Sequence, residues 1–301
     1  MSWRVVVGLG AVVVLMAAPS AWAWGPGTHI KLAGDILNQL HLLPVAVAAL
    51  LARHRKDFLF GNIAADVVLA KRLSRVRQIC HHWNTGLAIL DDAHTDCGRA
   101  FALGYLSHLA ADTVAHGKFI PRQMAMSRST LLFGHLYWEM RADAMVGPRA
   151  WRQLRTLLQE VFSEHEVSLH ARLTDTFLPF VMNWQLFYRM NRFMSQASWR
   201  RTMYRWSNVS RWYLPEQLMR EYRAECIEHM RDVLSHGRES AVLHDDPNGN
   251  AALSHARLRR RQFRQMSRAG LIAPHILYEA AAGHAPTVKV NVDAHRRARM
   301  L

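Results

Sequence analysis

Five short stretches between Trp24 and Asp143 hold the residue types that metal-assisted hydrolysis uses, imidazoles and carboxylates at close spacing. The densest runs from Gly104 to His116 and places His108, Asp112 and His116 four residues apart. On a helix these three form one stripe that drifts by only about 40° per step. Their neighbours are Leu, Ala and Val, among which two imidazoles and a carboxylate are expensive to bury uncompensated, whereas zinc accepts all three readily. The alternative, an exposed polar face, fits poorly with such small apolar surroundings. His135-Leu136-Tyr137-Trp138-Glu139 repeats the spacing with a carboxylate, and Asp143 follows one turn later as a partner for His135.

Three further pieces supply donors of the same kind. Gly61-Asn62-Ile63-Ala64-Ala65-Asp66 ends in a carboxylate after an apolar turn, which suits either a cation or the cap of a following helix. In Cys80-His81-His82-Trp83 the two adjacent imidazoles cannot share a face, so one of them ligates; His81 is favoured and His82 held in reserve. Trp24-Gly25-Pro26-Gly27-Thr28-His29 gains chemistry only if the residues before it are removed. A freed α-amino group has a pKa near 8 and can chelate a metal with its own carbonyl oxygen, with His29 adding an imidazole to the same ion. Otherwise Trp24 is a buried anchor and His29 a helix-capping residue.

That removal is expected. Arg4, the apolar run Val5 to Met16 and the small-x-small triplet Ala21-Trp22-Ala23 have the order of an export signal spanning residues 1–23. The run is short of the roughly 20 apolar residues that cross a bilayer, and no Cys follows the cut to carry a lipid. The reading is an exported protein, periplasmic or secreted, with an uncleaved anchor as the alternative.

The 301 residues carry 38 Lys plus Arg against 23 Asp plus Glu, a net charge of +15, with half the residues hydrophobic; this excludes a disordered chain. A chain this long folds without disulfides or a structural metal, and three widely spaced cysteines build neither a disulfide scaffold nor a zinc ribbon. Any metal therefore serves chemistry. Apolar residues recur at spacings of three and four, and strict alternation is scarce, so the fold is all-α. Helices are predicted over about 30–41, 44–55, 84–93, 98–116, 130–146, 148–165, 176–195 and 214–236 in a domain spanning 24–244, and over about 253–268 beyond it. The turn-rich run Asp245 to Asn250 then opens a basic extension, 245–301. Residues 251–301 hold ten Lys or Arg and two acids, 10 − 2 = +8. Arg257, Arg259, Arg260, Arg261, Arg264 and Arg268 share one predicted helix, suited to an anionic membrane surface. Residues 184–213 mix Trp, Tyr, Met and Arg, which suits a lipid surface or single-stranded nucleic acid, though core packing with Arg heads at the surface accounts for most of them.

The ordered set of amino-terminal Trp and His, then Asp, His, His-x-x-x-Asp, His and His-x-x-x-Glu resembles the zinc-dependent phospholipase C family, which is related to the fungal single-strand-specific zinc nucleases. The resemblance covers residues 24–145 and implies an all-α fold with up to three zinc ions. It implies that Asp66, His81, His108 and Asp112 hold one ion. Trp24, through amine and carbonyl, joins His29 and the shared Asp112 at a second, and His116, His135 and Glu139 hold a third. It also implies Asp66 as general base and a phospholipid or other phosphodiester as substrate. The closing His-x-x-x-Glu matches the phospholipases. Gly27 and Val67 stand where the well-known members place a glutamate and an aromatic around choline, so a quaternary ammonium pocket of that construction is absent. A zinc nuclease, or a non-catalytic zinc-binding helical protein at a membrane, remains as an alternative.

Amino-terminal sequencing of the exported protein is expected to begin at Trp24, and metal analysis of the same preparation to find zinc. An intact Met1 on a zinc-loaded protein would remove the amine from the ligand set.

Overall fold

The computed structural model describes residues 24–69, 73–76, 78–126, 131–210, 212 and 214–270; the expected export signal and residues 271–301 lie outside them. The described residues form helices and no strand, an all-α architecture.

The organising element is α5, Asp96–Val114. Thr95 caps it by accepting a hydrogen bond from Gly98 N at 3.0 Å, and Asp96 lies in the first turn, where a negative charge suits the helix dipole. From Gly104 to Val114 every residue is buried, so this helix is enclosed on all sides rather than amphipathic. Four helices enclose it: α1 (Pro26–Leu37), α3 (Arg55–Ala64), α4 (Trp83–Asp91) and α12 (Glu216–His236). Between α1 and α3 lies α2, Val45–Arg53.

The closest approach is that of α3 to α5, and two glycines permit it. A Cβ on Gly61 would stand 2.9 Å from Gly104 Cα, and one on Gly104 3.0 Å from Gly61 Cα, with backbone carbonyls nearer still. No side chain fits between them. The sequence pattern predicts no helix over α3, because Gly61 and Asn62 read as a turn; the glycine serves packing instead.

After Val114 the chain runs through a π-helical turn, Ala115–Phe119, into α6 (Ile120–Met126) and then α7 (Leu131–Ala144). The predicted helix over 148–165 is two helices, α8 (Pro148–Leu157) and α9 (Ser163–Arg172). Phe162 is buried and stacks on Phe60 with ring centroids 4.1 Å apart, which pulls the chain out of helical path between them. Then follow α10 (Phe180–Met194) and α11 (Ala197–Asn208). The latter carries Trp199, Met203 and Trp206 at helical spacing and packs on α7, though no helix is predicted there from the sequence. The turn-rich segment leads into α13 (Asn250–Arg268), which packs on α6 and the π turn. Among the described residues, no helix is long and apolar enough to cross a membrane.

Gly61→Ala and Gly104→Ala are each expected to cost about 1–3 kcal/mol in chemical denaturation by overpacking the crossing. Gly147→Ala, whose Cβ would meet nothing within 4 Å, is the control. Equal midpoints for all three would show that the helices can part.

Candidate metal centre

The α3–α5 crossing sets two backbones close enough for one to orient a side chain of the other. His108 Nδ1 donates to the carbonyl oxygen of Asn62 at 2.9 Å. A carbonyl only accepts, so the proton is on Nδ1 and the Nε2 lone pair points away from α3. One turn on, Asp112 lies on the same face, and Asp66 comes from the turn that ends α3.

The other imidazoles reach this point from separate elements. His29 lies inside α1 and stacks on His108, with ring centroids 3.9 Å apart. His81 belongs to the 3-10 turn Ile79–His81, entered through Gln78 at φ 57°, a left-handed conformation that a non-glycine residue adopts at some cost. That turn is pinned from several sides. Tyr105 Oη donates to Cys80 O at 2.5 Å, Asn248 Nδ2 donates to His81 O at 2.9 Å, and Cys80 Sγ lies 3.3 Å from His81 Nδ1. His81 is thereby fully buried while His82 is exposed.

The resulting cluster is dense. His81 Nε2 lies 3.2 Å from Asp112 Oδ2, 3.2 Å from His108 Nε2 and 3.4 Å from Asp66 Oδ1. His108 Nε2 is 3.3 Å from Asp112 Oδ2, and His29 Nε2 is 3.4 Å from Asp112 Oδ1. Two sets of ligand atoms each converge within 4.8 Å: those of His29, Asp66 and His108, and those of His81, His108 and Asp112. Donors about 3.4 Å apart match the edge of a tetrahedron whose centre lies about 2.1 Å from each, the usual zinc–nitrogen and zinc–oxygen distance.

The polar atoms themselves indicate a cation. Both nitrogens of His29 and both oxygens of Asp112 are buried without an aligned hydrogen bond, an arrangement that costs stability unless something else satisfies them. Burial, and next the neighbouring His108, push the His29 pKa down, against the pull of Asp112. For Asp112, burial favours the proton, but the imidazoles of His108, His29 and His81 outweigh it and hold the carboxyl well below the usual range. A neutral imidazole and an ionised carboxylate are the protonation states a metal requires. The residues fit a zinc ion.

The third arm lies beyond Asp112. His116 sits on the π turn, which changes where it points relative to a regular helix, and π turns of this kind often occur at functional sites. Its Nε2 is 3.9 Å from Asp112 Oδ2, and its ring faces His135 with centroids 4.9 Å apart. His135 Nε2 is 3.0 Å from Glu139 Oε1 within α7. This arm is thus defined by pairwise contacts.

Trp24 is fully buried; its indole Nε1 donates to Ala111 O at 3.2 Å and its ring stacks on Phe119. The residue is thereby anchored next to Asp112 in α5. Asp143 has a different task from the one its spacing suggests. Its carboxylate accepts from Gly27 N, Thr28 N and Thr28 Oγ at 3.2, 2.8 and 2.6 Å, fastening the first turn of α1. Burial pushes its pKa up to about 6, against those hydrogen bonds. Sequence reasoning missed the supports of the site: the Asn62 carbonyl, Tyr105, Asn248 and the paired glycines. Only the glycines, set in apolar runs, left a signal.

An all-α protein with a buried imidazole–carboxylate cluster suited to a divalent cation is the class that fold and site define. A family model described as zinc dependent phospholipase C matches residues 28–185, just over half the chain and all of the cluster, and the chain belongs to this family. At family level it is a zinc-dependent phosphodiester hydrolase. No curated protein and no solved structure matches the chain.

The metal-free protein is expected to lose stability as the pH falls through about 6.5. Below that pH the unfolded chain takes a proton on His29 that the folded chain resists, so acid favours unfolding; Asp112, lowered in the fold, adds a loss of the same sign at more acid pH, while Asp143, raised to about 6, offsets part of it because the folded chain takes that proton first. Denaturation in chelator at pH 7.5, 6 and 5 should show the decline and His29→Gln should flatten it. An unchanged slope in that variant would place the titration elsewhere.

Proposed function

We propose that the protein is an exported zinc phospholipase C that hydrolyses a phospholipid on the glycerol side of the phosphate, releasing diacylglycerol and a phosphorylated head group. The observation that carries this reading is the convergence of His29, Asp66, His81, His108 and Asp112, from four separate parts of the chain, on one buried point. Asp66, His81, His108 and Asp112 would hold one zinc. The freed amine and carbonyl of Trp24, with His29 and Asp112, would hold a second, and His116, His135 and Glu139 a third.

The chemistry zinc supplies when bound is Lewis acidity toward the phosphate oxygens and a water acidic enough to ionise near pH 7. The residues do the rest. Asp112 reaches three imidazoles at once and sets their separation. The Asn62 carbonyl holds the His108 proton on Nδ1 and leaves Nε2 as a donor of electrons. Asp66 has a side chain that is 9% exposed, whereas those of His29, His81, His108 and Asp112 are at 0%. It is the group of the five placed both to take a proton from water at the cluster and to pass it to solvent. The basic helix α13 would hold the enzyme against an anionic bilayer through Arg257, Arg261 and Arg264.

Zinc-loaded protein on mixed phospholipid vesicles is expected to release diacylglycerol, with activity falling below about pH 6.5 as the imidazoles protonate. Asp66→Asn should lower kcat by about 100-fold or more, and Asp112→Asn should abolish zinc retention. Cleavage of single-stranded DNA with vesicles left intact would identify a zinc nuclease instead, and zinc occupancy without turnover of any diester a non-catalytic protein.

A further inference from the structure

Beside the third arm of the cluster lies a cavity of about 1160 Å³, walled by α7, α10 and α11. Glu139 is common to its wall and to the His135 pair, so the cavity adjoins the metal centre. Its lining divides by chemistry. Met140, Met190, Met194, Met203 and Trp199 supply a deformable apolar wall. Arg189, Arg200, Arg201 and Arg205 also line it, and none is ion-paired with a carboxylate among the described residues. Arg200 stands 5.8 Å over the Trp151 ring; burial, and next the charges of Arg155, Arg152 and Arg201, make its proton easier to lose. Four guanidinium groups therefore line this cavity without a direct ion pair, although the carboxylates of Glu139, Asp143 and Glu216 share its wall.

An apolar space of this size with a few convergent charged groups is the form of a small-molecule site, and the pairing selects the molecule. A flexible methionine wall suits a chain without fixed shape, and guanidinium groups that make no ion pair suit a phosphate, which they bind in a fork. We propose that the cavity binds the apolar chain of an anionic phospholipid or other phosphate-bearing amphiphile, with the arginines holding the charge and the methionine wall the chain. This deepens the lipid reading above and rests on it for the identity of the substrate. It assigns α10 and α11 to substrate selection, with Trp199 and Met203 of α11 facing the cavity.

Alkyl phosphates test it, because they are monoesters and offer no diester to cleave. Octyl, decyl and dodecyl phosphate below their micellar concentrations are titrated into zinc-loaded protein and followed by calorimetry. The expected result is a Kd that tightens roughly fourfold per methylene, the fold equivalent of about 0.8 kcal/mol. Met190→Trp, which fills the cavity, should weaken dodecyl phosphate at least tenfold with an unchanged Tm, and Arg200→Gln with Arg205→Gln should weaken all three chain lengths alike. A Kd independent of chain length, or dodecyltrimethylammonium binding as well as dodecyl phosphate, would overturn the proposal without recourse to any variant. Chain-length-dependent binding by a protein that cleaves no phospholipid would support the cavity while refuting the phospholipase reading. Phospholipid hydrolysis indifferent to chain length and to Met190→Trp would refute the cavity alone.

Discussion

A carboxylate with no exposed surface, Asp112, lies within 3.4 Å of three imidazole nitrogens, and the rest of the molecule is arranged around that fact. An ionised group cannot be buried among Leu, Ala and Val without a counter-charge. The chain answers by bringing His29, His81 and His108 to it from three separate elements. The cost of the arrangement rises if the imidazoles are protonated and crowd like charges, and rises again if they stay neutral with their lone pairs facing one another. A cation at the centre relieves both. A metal bound here would link its binding to folding, and the depressed pKa values of His29 and Asp112 keep both groups in the protonation states it needs.

Holding donors 3.2–3.4 Å apart requires backbone precision, and the fold supplies it by close contact. The glycine pair lets α3 touch α5, and only that contact puts the Asn62 carbonyl within 2.9 Å of His108 Nδ1. His81 lies on a short turn with little rigidity of its own, so Tyr105 and Asn248 fix the carbonyls of Cys80 and His81. Asp143 fixes the start of α1 and with it His29. His108, His81 and His29 are thus each held by a neighbour outside the cluster, the kind of support that fixes coordination geometry in metal sites.

The residues that converge on the cluster were legible in the sequence and their supports were not, for a physical reason. His108, Asp112 and His116 are conspicuous because polar residues in an apolar run have to be explained, and their spacing names a helix face at once. The Asn62 support is a backbone carbonyl, which every residue carries, so no side chain advertises it. Asp143 was misread because helical spacing pairs it with His135, whereas the fold brings the start of α1 to it across 115 residues of sequence. The α3 helix was missed because Gly61 has two opposed uses, breaking a helix or letting one come close, and only the partner strip on α5 decides between them. At the α8–α9 break, the burial of Phe162 against Phe60 overrides a local preference that favours continuing the helix.

The carboxy-terminal segment shows how a stretch that reads as a spacer becomes part of the centre. Asp246 accepts from Asn248 N and Asn250 N at 2.9 Å each, closing the turn and starting α13. Gly249 has φ 58°, and a Cβ there would collide with the carbonyl of His116, so glycine is required on both counts. Asn248 meanwhile donates to His81, and Trp83 Nε1 to Asp245 O at 2.8 Å. One six-residue turn thus touches both His81 and His116 while leading directly into the arginine-rich helix. The turn has no slack, since its glycine and its asparagine are both packed against backbone. Within the described residues the arginine-rich helix packs on the π turn that carries His116, so this part of the basic extension belongs to the packing around the cluster.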